Sequence, residues 1–163
     1  MKHTIAVLVE NEFGVLARVV GLFSGRGFNI ESLSVAETQD PTVSLITLVT
    51  RGDDQIIEQI TKQLNKLVNV LRVTDMEEGE YLDRELLLVR VNATEQTKPE
   101  LLRLVDIFRG RVVDVSPKTY TLEMTGGEEK IRAVMELLQP LGVKEIVRTG
   151  KVAMPRGRRS ASS

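Results

Sequence analysis

The stretch Glu12-Phe13-Gly14-Val15-Leu16-Ala17-Arg18-Val19-Val20-Gly21-Leu22-Phe23-Ser24-Gly25-Arg26-Gly27-Phe28-Asn29 decides how the first half of the chain is read. It follows an almost wholly apolar run, Thr4 to Val9, which predicts a strand. Leu16, Val19, Val20 and Phe23 recur at i, i+3, i+4 and i+7, the spacing of one helix face. The spacing predicts a helix over 15–25, opened by Gly14, with Asn29 entering the next strand. A glycine loop that opens onto free helical N–H groups allows close backbone approach and can hold a carboxylate or a phosphate.

Working outward, strands are expected over 30–37 and 43–50, with Asp40-Pro41 marking the hairpin between them. Ile56, Ile57, Ile60, Leu64 and Leu67 form the apolar stripe of a helix over 54–66, and Arg51-Gly52-Asp53-Asp54 supplies its turn and cap. A strand over 69–74 follows. The second half repeats this order. Leu86 to Val91 reads as a strand, and Thr97-Lys98-Pro99-Glu100 as a helix start with a capping-box pair and an early proline. That helix presents Leu101, Leu104, Val105 and Phe108. Arg111–Val115 and Thr119–Thr125 form a hairpin around Ser116-Pro117. A helix carrying Ile131, Val134, Met135 and Leu138 stops near Pro140 and Gly142, and Val143–Arg148 closes the unit.

Both halves read βαββαβ, so the predicted class is α+β, with two tandem ferredoxin-like domains. The expected boundaries are 1–76 for the first domain, 77–84 for an acidic linker and 85–150 for the second domain. A basic tail over 151–163 is expected to be mobile, with polyanion binding as its weaker alternative.

Composition narrows the function classes. The 163 residues are 42% hydrophobic and 28% charged, which fits a globular protein and not a disordered one. No apolar run approaches the roughly 20 residues of a membrane helix, and no signal peptide is expected before the strand that begins at Met1-Lys2-His3-Thr4. The chain has no cysteine, which excludes disulfides and thiolate metal sites and fits a cytoplasmic location. A net charge of -1 with 4% aromatics argues against nucleic acid. The single histidine, His3, is read as a surface residue at a strand end. No catalytic or metal-ligand cluster stands out, so no catalytic residue, no metal and no cofactor is expected in this chain.

Asn11 is expected to cap the helix or to reach a ligand amino group, and Gly14 to permit close approach or a positive φ. Val15 and Leu16 offer backbone donors. Asn29 has an ordinary structural explanation, because asparagine tolerates left-handed turn geometry. Its strand, Ile30 to Ala36, would lie at a sheet edge and carries no proline or lysine to discourage pairing. A domain of this size buries only about 60% of its chain surface, so edge-to-edge dimerisation is expected, with coverage of the edge by the second half of the same chain as the alternative. A dimer would bring one copy's glycine loop near the other's Asn29. A carboxylate at a helix N-terminus gains roughly 0.3–2 kcal/mol, and burying an isopropyl group about 2.4 kcal/mol. That sum corresponds to roughly millimolar binding, so a sensitive site needs contacts from a second copy.

The run Asn11-x-x-Gly14-x-Leu16-x-Arg18-Val19 with Arg26-Gly27-Phe28-Asn29-Ile30-Glu31-Ser32-Leu33 resembles the ACT domain, an amino-acid sensor. With Gln63-Leu64-Asn65-Lys66-Leu67-Val68, Arg84-Glu85-Leu86 and Ile107-Phe108-Arg109-Gly110-Arg111-Val112-Val113-Asp114-Val115, the whole chain resembles the small regulatory subunits of acetolactate synthase. The resemblance implies a subunit of branched-chain amino-acid biosynthesis with no catalytic centre. Such a subunit binds and activates a large catalytic subunit and confers feedback inhibition by valine at an ACT dimer interface. It implies Asn11, Gly14, Val15, Leu16 and Asn29 as effector-binding positions, with Ile30 and Ala36 in the pocket wall. Thiamine diphosphate, magnesium and FAD are expected in the catalytic partner only. Phe13 stands where many ACT domains have proline. The stretch Asn92-Ala93-Thr94-Glu95-Gln96-Thr97 lacks a glycine, so one type of effector site is expected, in the first half. The competing readings are a sensor for a different enzyme, an acylphosphatase-like hydrolase using Arg18, Arg26 and Asn11, and an RNA-binding module. The last lacks aromatics on its central strands.

Overall fold

The computed structural model describes residues 1–157, which form two compact units. The first comprises Met1–Leu82 together with residues 151–157, and the second Asp83–Gly150. In the first unit β1 (Lys2–Glu10), α1 (Val15–Gly25), β2 (Ile30–Glu37), β3 (Val43–Arg51), α2 (Asp54–Asn65) and β4 (Val70–Asp75) follow in order. Their antiparallel sheet runs β2-β3-β1-β4. The second unit repeats the plan with β5 (Tyr81–Asn92), α3 (Lys98–Ile107), β6 (Arg111–Val115), β7 (Thr119–Gly126), α4 (Glu128–Gly142) and β8 (Val143–Arg148), in the order β6-β7-β5-β8. Two βαββαβ units in one α+β chain are what the periodicity predicts.

Each unit buries one sheet face under its own helices. Val15, Val19 and Phe23 of α1 and Ile57, Ile60 and Leu64 of α2 pack on Ile5, Val7, Val9, Ile46 and Leu48. In the second unit Leu101, Leu104, Ile131, Val134 and Leu138 cover Leu87, Val89, Val91, Leu122 and Met124. The α1 and α3 C-termini close with the same turn, the N–H of Phe28 donating to the Phe23 carbonyl (2.9 Å) and that of Gly110 to Val105 (2.8 Å). The turn needs a left-handed residue, supplied by Gly27 (φ 73°) in one unit and Arg109 (φ 54°) in the other. Asn29 is not the left-handed residue. The conformational explanation expected for this asparagine therefore falls away.

Three further expectations change. Thr97 does not cap α3 through its side chain. Thr94 and Thr97 instead form the reciprocal pair one turn earlier, each backbone N–H donating to the other's Oγ1 (2.9 and 3.1 Å). Glu100 is turned to Arg103. His3 is 5% exposed, with Nδ1 3.0 Å from Asp75 Oδ2, so it belongs to the interior and not to the surface.

The chain after Gly150 is also not a simple tail. Val152–Pro155 form a ninth strand, β9, and the Arg156 N–H donates to the Glu80 carbonyl (3.0 Å). Ala153, with Met76 from the 3-10 turn Met76–Glu78, packs on Ala6, on the sheet face away from α1 and α2. Lys151 donates from its backbone to Ser32 Oγ (3.0 Å) and from Nζ to Thr4 Oγ1 (3.4 Å). The expected linker over 77–84 contains the end of the 3-10 turn and the start of β5. The remainder of the expected tail, 158–163, lies outside the described residues.

Candidate functional site

The loop from Glu10 to Gly14 is pinned on both sides. The Glu10 N–H donates to the Asn69 carbonyl (2.9 Å) and the Asn11 N–H to the Thr42 carbonyl (2.7 Å). The nearly buried Asn69 side chain accepts from Arg18 Nη1 (2.6 Å) and donates through Nδ2 to Glu10 Oε2 (3.0 Å) and Glu12 Oε2 (3.4 Å). The loop therefore meets the helix at a defined angle, with Gly14 left-handed (φ 83°, ψ -4°) as the N-cap residue. No side chain caps α1. The first i→i−4 bond runs from the Arg18 N–H to the Gly14 carbonyl. Val15, expected as a donor, returns its N–H to the Glu12 carbonyl (3.3 Å). Leu16 and Ala17 are left as the N–H groups without an i−4 partner.

The other helices begin differently. The Ile56 N–H of α2 donates to Asp53 Oδ1 (2.9 Å), and the Glu128 N–H of α4 to Asp83 Oδ2 (3.1 Å). At α3 the Thr94–Thr97 pair precedes the first turn, Thr97 provides no side-chain cap, and the Thr94 carbonyl accepts from the Lys98 N–H (2.9 Å). At α1 no side chain lies over the first turn, and its N-cap residue is a glycine.

Asn11 connects this loop to the β2–β3 hairpin. Its Nδ2 donates to the Pro41 carbonyl (3.0 Å) and to Glu37 Oε1 (3.3 Å). The hairpin is itself held by Asp40 Oδ1, which accepts from Thr42 Oγ1 (2.7 Å) and the Thr42 N–H (2.9 Å). These two hydrogen bonds, the hydroxyl's first, hold the Asp40 carboxyl below the ordinary carboxylate range. Glu37 and Pro41 escaped the sequence reading. The signal was present: the Asp40-Pro41 turn places the end of β2 beside the start of β3, which pairs with the end of β1.

The expected site residues fall into two groups. Asn11, Gly14, Val15 and Leu16 lie at the loop, with Ala36 beside Glu37 at the end of β2. Asn29 and Ile30 lie at its opposite end, where the Asn29 carbonyl accepts from Thr50 Oγ1 (2.6 Å). Ile30 packs on the core, and the pocket-wall candidate Ala36 is exposed. At about 3.3 Å per residue, β2 separates the groups by roughly 25 Å. One copy does not bring Asn29 to Asn11.

The residues named for an acyl-phosphate hydrolase do not assemble either. Arg18 is bound to Asn69, and Arg26 lies eight positions further, roughly 12 Å along the helix direction. Among the described residues no group of three or more His, Asp or Glu side chains is placed to hold a metal ion, and no helix is long and apolar enough to cross a membrane.

Comparison with known proteins extends over both units. A family model described as the AHAS small subunit-like ACT domain matches residues 5–72, and one described as the small subunit of acetolactate synthase matches residues 84–157. The chain belongs to the acetolactate synthase small-subunit family. It is 52% identical to the acetolactate synthase small subunit of Aquifex aeolicus over 95% of this chain and 81% of that protein. It is 46% identical to the isozyme 3 small subunit of Salmonella typhimurium over 96% of this chain and 97% of that one. The crystal structure of the small subunit from Thermotoga maritima superposes with a TM-score of 0.87 at 42% identity, covering 97% of this chain and 99% of that one. The family matches therefore place the loop, the uncapped helix and the β2 edge in an ACT domain.

Proposed function

We propose that this chain is the regulatory, non-catalytic subunit of acetolactate synthase. It binds and activates the large catalytic subunit and confers feedback inhibition by valine, whose site lies between the ACT domains of two copies. Thiamine diphosphate, magnesium and FAD belong to the catalytic partner, and this chain contributes no reacting group. The observation that carries this reading is the separation of Asn11 and Gly14 from Asn29 by the length of β2. Antiparallel pairing of two β2 edges about their midpoint sets Asn29 of one copy against Glu37 and Asn11 of the other. The two half-sites then meet twice per dimer. The carboxylate of the amino acid takes the Leu16 and Ala17 N–H groups at the positive end of α1. Its apolar side chain lies between the paired strands, and the second copy supplies the contacts that one copy lacks.

Mixed dimers test this arrangement. Asn11→Leu and Asn29→His should each abolish valine inhibition of the reconstituted enzyme. A one-to-one mixture should recover part of it, because mixed dimers carry one intact site. Failure of the mixture to recover inhibition, with mixed dimers demonstrated by mass, would sink the shared site. No effect of valine, leucine or isoleucine on the reconstituted wild-type enzyme would sink amino-acid sensing.

A further inference from the structure

From the geometry around Asn11 we infer that Glu37 sets which chemical class of ligand the site accepts: it holds the Asn11 amide so that the site takes an α-amino acid and rejects the 2-oxo acid of the same carbon skeleton. This rests on the sensing reading above.

A primary amide presents two N–H donors and one acceptor oxygen. Both donors of Asn11 are occupied, by the Pro41 carbonyl at 3.0 Å and by Glu37 Oε1 at 3.3 Å. Neither partner can donate, so rotating the amide by half a turn would set its oxygen against two oxygens. Oδ1 is therefore the face of Asn11 turned away from the hairpin and offered to a ligand. The carboxylate, common to both ligand classes, goes to the helix N–H groups. The α-substituent differs. An ammonium carries only donors and satisfies Oδ1, whereas a ketone oxygen carries only acceptors and opposes it. Glu37 is a positioning residue in this scheme: it acts through Asn11.

The distinction matters for a feedback device. A 2-oxo acid and its amino acid have the same side chain and the same carboxylate, so the apolar wall and the helix N-terminus cannot separate them. Only a group that reads the α-substituent can. Asn11, locked from behind, is such a group.

Calorimetry of valine and 3-methyl-2-oxobutanoate on the full chain provides the test, using wild type, Glu37→Leu and Glu37→Gln. Wild type should bind valine at least about tenfold tighter than the oxo acid, the scale expected for an acceptor facing an acceptor. Glu37→Leu removes one of the two locks and should lower valine affinity about fivefold while leaving the oxo acid unchanged. Glu37→Gln keeps an acceptor toward Asn11 Nδ2 and should hold the ratio within about twofold. Equal loss for both ligands in Glu37→Leu, an unchanged ratio, or a Gln variant as poor as the Leu variant would each overturn the inference while leaving valine sensing in place. Absence of valine binding to wild type would instead overturn the sensing reading, and this inference with it. Glu37 is exposed, so matching melting curves should accompany all three proteins.

Discussion

The starts of α1 and α3 occupy the same place in two copies of one fold, and they differ in a single respect that matters. At α3 the threonines of the loop bond to each other's backbone, and Pro99 removes a donor from the first turn altogether. At α1 a left-handed glycine lifts the loop away, and no side chain takes the cap. Neither helix has a side-chain cap, but Pro99 leaves α3 one fewer first-turn donor than α1. A fold repeated within one chain thus starts corresponding helices in two ways: behind a bonded threonine pair in the second unit and behind a bare left-handed glycine in the first. The C-terminal turns of the same helices invert the pattern, with glycine in the first unit and a strained arginine in the second.

The largest expected effect breaks one side of the comparison entirely. Phe23 is fully buried under the first unit's sheet, so Phe23→Ala should cost about 3–5 kcal/mol. Because the two cores share no residue, calorimetry should show the first unit's transition falling while the second unit's stays in place. A uniform drop of a single transition would mean that the units unfold together.

Gly14→Val attacks the open helix start directly. An added Cβ would meet nothing within 4 Å, so the penalty comes from the backbone alone. A left-handed β-branched residue costs about 1–2 kcal/mol, and the loop should escape it by shifting. Lower melting temperature with loss of valine inhibition is expected. Unchanged inhibition would separate Gly14 from the site.

Thr94→Ala removes the closing pair at α3. It should lower the second unit's stability by about 1 kcal/mol, read by denaturant titration, without creating valine binding there. The smallest effect is a gain. Arg109→Gly relieves a left-handed arginine at φ 54° and should stabilise the second unit by about 0.5 kcal/mol, after the added freedom of its unfolded chain is counted. The reverse change, Gly27→Arg, should cost the first unit about 1 kcal/mol. Should Arg109→Gly destabilise instead, the Arg109 side chain makes a contact that outweighs the strain.

Legibility followed sequence distance. The helix over 15–25 and the strands over 30–37 and 111–115 stand where apolar spacing and the flanking glycines and prolines put them. Such signals are complete within ten residues or so. The α3 start stands where Thr97-Lys98-Pro99 puts it, but the capping box does not form, because Thr94 engages Thr97 and local pattern does not rank the two pairings. The partners of Asn11 were invisible for another reason. Its bonds to Glu37 and Pro41 span 26 and 30 residues and exist only once β1, β2 and β3 are in register. The burial of His3 is hidden in the same way, since its partner Asp75 is 72 positions away. Strand β9 has four residues, too few to show alternation, and its burial depends on Ala6 and Met76.

The return of the chain to the first unit after Gly150 makes the second unit an insertion within the first. A ribosome synthesises Asp83–Gly150 before Ala153, which packs on Ala6, and Lys151, which reaches Ser32. The ACT domain therefore stays incomplete on one sheet face until the second unit has been synthesised. A nascent chain severed at the unit boundary yields an ACT domain with bare apolar surface, not a finished module.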